Sequence, residues 1–159
     1  MRPEFFELGY KLFNDRDTLK SQFFTADIFE PPPELTSLYG KIDIIYTGSF
    51  LHLFGYAQQV QVCKEIVKLL QEKEGSMLLG RQVGDLDAGE KVYRTNKTQT
   101  MFRHNVESFK KLWGEVGELT GTKWRVEAEI LHSDERFMQE RKENPNSTVR
   151  RLRFSCFRE

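Results

Sequence analysis

The sequence predicts an α/β fold in which a mostly parallel sheet is closed by a C-terminal antiparallel strand pair. Two observations carry this. Apolar, strand-like runs alternate with amphipathic, helix-like stretches between residues 23 and 120, an order that implies parallel strands joined by right-handed crossovers. The last two strand-like segments, Trp124–Ile130 and Leu152–Cys156, instead alternate strictly between apolar and polar residues, as strands with one wet face do. A chain of 159 residues suffices for one core and is short for two, so residues 1–159 are read as one domain with no second.

The elements follow in order. Residues 3–13 read as a helix: Pro3 suits the first position, Glu4 suits the positive end of the dipole, and Phe5, Phe6, Gly9, Leu12 and Phe13 form an apolar stripe. Phe23–Phe29 reads as a buried strand stopped by Pro31, Pro32 and Pro33. Ile42–Thr47 is a second strand, apolar on both faces as helix-covered parallel strands are. Tyr56–Leu70 is amphipathic, with Ala57, Val60, Cys63, Val67 and Leu70 on one side. Ser76–Gly80 is a third buried strand, and residues 81–103 read as a long polar connection of the kind that is functional or mobile. Asn105 can cap a helix whose buried face is Val106, Phe109, Leu112, Trp113, Val116 and Leu119, with Gly121 as its stop. The charged stretch 132–150 is a long excursion between the final two strands.

Composition excludes several classes. Twenty-four basic and 24 acidic residues balance to zero, which argues against a general nucleic-acid or anionic-membrane binder. Arg150, Arg151, Arg153 and Arg158, interleaved with Phe154 and Phe157, read as charge protecting an edge strand rather than as a nucleic-acid patch. No apolar run approaches the roughly 18–20 residues of a membrane span, and Met1-Arg2-Pro3-Glu4 does not begin a signal peptide. Two cysteines, Cys63 and Cys156, make no disulfide framework, so the expected compartment is the reducing cytoplasm. No His, Asp or Glu set has metal-ligand spacing, so no metal is expected. Ser49 lacks the flanking glycines of a hydrolase nucleophile elbow, since Thr47 and Leu51 stand there.

Several segments together resemble one family. They are Arg2-Pro3-Glu4-Phe5-Phe6, Gly9-Tyr10-Lys11-Leu12-Phe13, Ala26-Asp27-Ile28-Phe29, Lys41-Ile42-Asp43-Ile44-Ile45 and Gly48-Ser49-Phe50-Leu51-His52-Leu53-Phe54. Further along come Gly80-Arg81-Gln82-Val83-Gly84, Arg94-Thr95-Asn96, Arg103-His104-Asn105 and Gly121-Thr122-Lys123-Trp124. The series resembles class I S-adenosylmethionine-dependent methyltransferases, in particular fungal O-methyltransferases acting on polyketides and meroterpenoids. The resemblance implies a Rossmann-like sheet, S-adenosyl-L-methionine as cofactor, and a small-molecule acceptor that is a carboxylic acid or a phenol. It also implies a departure. The family's first βαβ unit, with its glycine-rich cofactor turn, precedes the point where this chain starts, and no Gly-x-Gly-x-Gly occurs in these 159 residues. The chain then reads as the C-terminal two-thirds of a methyltransferase domain. The alternative is a catalytically inert fragment whose open strand edges serve an interaction or a homodimer.

The same resemblance assigns candidate residues. Asp27 would accept a hydrogen bond from the adenine amino group while Ile28 packs on the ring; otherwise Asp27 is a strand-end turn residue. Gly48, Ser49 and Phe50 would line the methionine half of the cofactor, at the strand end where open α/β sheets bind ligands, or form an ordinary turn. His52 and His104 have the ring chemistry of a general base, although a histidine in an apolar setting is more often structural. Arg81, Arg94 and Arg103 have the guanidinium fork that grips a substrate carboxylate, with surface charge as the commoner reading for any one of them.

Overall fold

The computed structural model describes residues 4–93, 98–131, 138 and 142–159, in two units, residues 1–38 and 39–159. In the first unit, helix α1 (Glu4–Phe13) forms as expected, and a short α2 (Pro33–Thr36) follows the prolines. The start of α1 at Pro3 lies outside the described residues. The stripe on α1 is not covered: none of its residues is buried, and Leu12 and Phe13 are 74% and 70% exposed. Phe6 stacks on Phe23 at 5.2 Å, Tyr10 meets Phe23 edge-on at 5.7 Å, and the Arg16 guanidinium lies 4.3 Å over the Tyr10 ring.

The expected strand Phe23–Phe29 is corrected. Residues 19–27 carry no regular hydrogen-bonded structure, and Phe23 and Phe24 are exposed. β-structure requires a neighbour's N–H and C=O groups, and among the described residues no strand pairs here. The Asp27 carboxylate instead accepts the Phe29 N–H at 2.9 Å, a local turn that bends the chain into the prolines.

The second unit is an α/β sandwich. Its strands are β1 (Ile44–Gly48), β2 (Met77–Asp85), β3 (Gly89–Val92), β4 (Thr100–Arg103), β5 (Trp124–Leu131) and β6 (Val149–Arg158). Its helices are α3 (Tyr56–Leu69) and α4 (Val106–Thr120). The main sheet runs β1-β2-β6-β5. β1 and β2 are parallel, joined through α3, while β6 lies antiparallel to both β2 and β5. The Rossmann-like pattern with an antiparallel closing pair is thus present, and among the described residues its parallel part is the β1–β2 pair with the Ile42–Leu70 bridge beside it. The connection 81–103 is not irregular: β2 continues to Asp85, and β3 and β4 form a separate antiparallel hairpin.

Both helices pack on one face of the sheet. Phe109, Leu112, Trp113 and Val116 of α4 and Val62, Cys63 and Ile66 of α3 are buried against Leu78, Leu152, Phe154 and Cys156. The stripe on α3 is rotated from the expected one, because Gln59 and Val62 are buried while Ala57 is exposed. Leu119 likewise ends up 55% exposed at the end of α4. The α4 termini match expectation. The Asn105 side chain accepts from Ser108 N–H while the Ser108 hydroxyl accepts from Asn105 N–H, and Gly121 takes the left-handed conformation at φ 66°. Gly80 packs so closely that a Cβ there would lie 2.2 Å from the Thr47 carbonyl oxygen, which lets β1 and Phe154 meet across β2.

Candidate functional site

The carboxyl ends of β1 and β2 bring together most of the candidates in residues 39–159. After Gly48 the chain leaves the strand: Ser49 adopts φ 56°, its N–H bonds to the Arg81 carbonyl at 2.7 Å, and a 3-10 turn, Leu51–Leu53, follows. A left-handed serine is sterically costly, and such conformations concentrate at ligand sites. Gly48 and Ser49 are exposed, Phe50 is half-buried, and the Phe50 ring meets Phe54 edge-on at 5.2 Å. At Gly48 a Cβ would press on the Tyr46 ring at 3.0 Å. Beneath the turn the Thr47 hydroxyl and both amide atoms of Gln82 are buried without hydrogen-bond partners. The backbone at this strand end is therefore open to close approach by a ligand.

His52 sits on the 3-10 turn and is 8% exposed. His104 is fully buried, with Nδ1 2.9 Å from the Ser108 hydroxyl and Nε2 3.2 Å from Gln59 Oε1. The Gln59 amide nitrogen donates to the carbonyls of Phe54 and Phe102, so Gln59 Oε1 is left to accept from His104 Nε2. Burial lowers the His104 pKa to about 4, against an opposing Ser108 hydrogen bond, so the ring is neutral near pH 7. Both of its nitrogens are engaged and no face reaches solvent. His104 thus joins the 3-10 turn, β4 and α4, and this placement corrects the expectation that it faces a substrate as a base. Sequence reasoning missed Gln59, whose signal was a polar residue within the apolar spacing of α3.

The arginines separate. Arg81 is exposed on β2, opposite Gly48 on one side and Arg153 on the other. Arg103 ends β4, and its Nη1 lies 3.8 Å from Asp85 Oδ2, with Lys91 Nζ 3.6 Å from the same oxygen. Arg94 lies outside the described residues. Asp27 and Ile28 belong to the first unit, Asp27 exposed and Ile28 half-buried. Among the described residues no His, Cys, Asp and Glu group could hold a metal ion, and no helix is long and apolar enough to cross a membrane.

Comparison with known proteins adds what geometry alone does not. No family model matches the chain. It is 46% identical over 136 residues to the O-methyltransferase phiE of a fungal species, covering 85% of this chain and 45% of that protein. It is 44% identical over 128 residues to the O-methyltransferase atr3 of Stereocaulon alpinum, covering 80% of this chain and 37% of that one. Over most of its length the chain is therefore similar to proteins named O-methyltransferases. It spans about half the length, or less, of these methyltransferase relatives.

Solved structures share the fold of this chain. The [4+2]-cyclase SpnF has a TM-score of 0.65 at 11% identity, over 95% of this chain and 61% of that one. The Burkholderia thailandensis 1,6-didemethyltoxoflavin-N1-methyltransferase, with S-adenosylhomocysteine bound, has a TM-score of 0.61 at 10% identity, over 99% of this chain and 57% of its own. One neighbour is named a cyclase and the other a methyltransferase, so fold likeness leaves the reaction open, and the sequence relatives narrow it.

Proposed function

We propose that the chain is part of an S-adenosylmethionine-dependent O-methyltransferase that modifies a small secondary metabolite carrying a carboxylic acid or a phenol, in the cytoplasm. One observation supports this above the others: relatives named methyltransferase align at 39–46% identity over about four-fifths of the chain, through the strand-end segment that turns at Ser49. The residues present fit one half of the cofactor. Gly48 is exposed at the strand end, Ser49 turns the backbone at φ 56°, and Phe50 supplies an apolar wall for the methionine portion. In the first unit, taken by itself, Asp27 spends one carboxylate oxygen on Phe29 N–H and keeps the other as an acceptor of the kind an amino group needs.

When bound, the cofactor supplies an electrophilic methyl group on a sulfonium. The chain's own part is to hold and orient. Methyl transfer gains chiefly from alignment of the two reactants, which needs no catalytic triad. Arg81, Arg94 and Arg103 are the guanidinium groups available to orient an acceptor carboxylate, and His52, beside the Ser49 turn, is the remaining candidate base for a phenol.

A second reading has its own support. β1 pairs only with β2 among the described residues, its five residues carry no charge, and Ile44 and Tyr46 are each 59% exposed. An uncharged open edge is a template for another strand, which favours an interaction module or a homodimer. Calorimetric titration of the folded chain with S-adenosylhomocysteine separates the two. Binding in the micromolar range that Gly48→Val abolishes is expected on the enzyme reading. A folded chain that binds none, alone and when joined behind the amino-terminal half of its phiE relative, overturns that reading and leaves the interaction module.

A further inference from the structure

Asp85 is a charged residue at the end of a buried strand, and it is 2% exposed. Its Oδ1 accepts the Asp87 N–H at 3.1 Å, and its Oδ2 faces two cations, Lys91 Nζ at 3.6 Å and Arg103 Nη1 at 3.8 Å. Both separations exceed hydrogen-bond length. One carboxylate thus stands against two cations and saturates neither. Arg103 makes no hydrogen bond among the described residues, and its Nε is buried without a partner. A guanidinium with five donors does not ordinarily stay unspent in a part-buried setting.

The hairpin register shows where those donors lie. Gly89 pairs with Arg103 and Lys91 pairs with Met101, so these four positions share one face of the β3–β4 hairpin. The opposite face carries Glu90 and Phe102, which are engaged with α3: Glu90 accepts the Tyr56 N–H at 2.9 Å, and the Phe102 ring meets Tyr56 at 5.1 Å. Glu90 is therefore spent on the far side and does not neutralise Lys91 or Arg103. Asp87 is exposed and meets Asp85 through its backbone. Opposite Arg103, a Cβ on Gly89 would find nothing within 4 Å, so there is room beside the guanidinium. Met101, on the same face, is buried and packs into the core behind the two cations.

We propose that the hairpin face bearing Lys91 and Arg103 is an anion subsite that takes a carboxylate, and that Asp85 is the positioning residue that holds the two cations side by side. A single added negative charge balances the cluster, two cations against Asp85 and the ligand. The planar carboxylate matches the Arg103 fork. The ligand's identity rests on the methyltransferase reading, in which it is the acceptor's carboxylate; the subsite itself rests on the charge balance and the hairpin register.

The test uses benzoate as the probe, followed through the Arg103 Nε–H resonance and the Gly89 amide by NMR. Saturable shifts at both are expected, with none from phenol. Arg103→Lys, which keeps the charge and loses the fork, and Lys91→Met, which keeps the stem and loses the charge, should each weaken benzoate by about tenfold. Lys91→Met on the hairpin surface guards against loss of folding in the Arg103 variant. Unchanged affinity in both variants, shifts that map elsewhere, or no saturable binding each overturn the subsite. Equal binding of inorganic phosphate overturns the carboxylate assignment. S-adenosylhomocysteine titrated into the same samples keeps the readings apart: losing its binding while the benzoate shifts remain defeats the methyltransferase reading alone, and the reverse defeats the subsite alone.

Discussion

The two units are similarly rich in apolar side chains and differ in what those side chains achieve. Residues 4–38 hold Phe5, Phe6, Phe13, Phe23, Phe24 and Phe29, yet none of them is buried and only short helices form. In residues 39–159 the same kind of content closes around a sheet, with Phe109, Leu112 and Val116 at 0% exposure. The difference teaches that apolar composition becomes a core only where a second layer stands ready to receive it. Helix α1 has an apolar stripe with none of its residues buried; α4 lies against β5, with Phe109 on Phe154 of β6.

That contrast can be broken or sharpened by measurement. Phe109→Ala, which removes a ring packed 4.4 Å from Phe154, should cost about 3–5 kcal/mol in urea denaturation. The fluorescence of Trp113 and Trp124 reports the transition, since both belong to the second unit. Acid should come next. Burial lowers the His104 pKa to about 4, so between there and its ordinary 6.5 the unfolded chain takes up a proton that the folded chain refuses. Stability contributed by neutral His104 is complete above pH 6.5 and drains away as the pH falls through 4, a loss on the order of 3 kcal/mol. His104→Gln should flatten that slope; an unaltered slope would mean the ring is not held as described. At the small end, Leu12→Gln on the uncovered stripe should move the tryptophan-reported transition by no more than about 0.5 kcal/mol. A larger effect would show that α1 finds a packing surface.

Much of the fold was legible. Caps and periodicity located α3 and α4 because those signals are local, as the Asn105 box and the left-handed Gly121 confirm. Strict alternation located β5 and β6, since a half-wet strand declares its two faces in sequence. Phe23–Phe29 misled because an apolar run reports a wish for burial and carries no information on whether a partner strand is at hand. The β3–β4 hairpin was missed because each strand is four residues long, too short for a period to register. At the site, Gly48, Ser49 and Phe50 were expected through the family resemblance and lie at the end of β1, whereas Asp85 was hidden inside a stretch read as irregular. Its signal, an acid ending a run that buries every second residue, becomes visible only once β2 is known to extend that far. His104 looked like chemistry in sequence and proved to be architecture, because its Gln59 partner lies 45 residues away.

The last strand of the chain is also an inner strand of the sheet. β6 lies between β2 and β5, and its register joins Met77 to Phe157. On the ribosome, β2 emerges long before the residues that must pair with it, and β5 emerges with an empty place at its side. Neither can take its final hydrogen bonds until residues 149–158 clear the exit tunnel. The order of synthesis and the order of assembly are therefore out of step in this molecule, and the interval between them is when β2 most needs shelter from other chains.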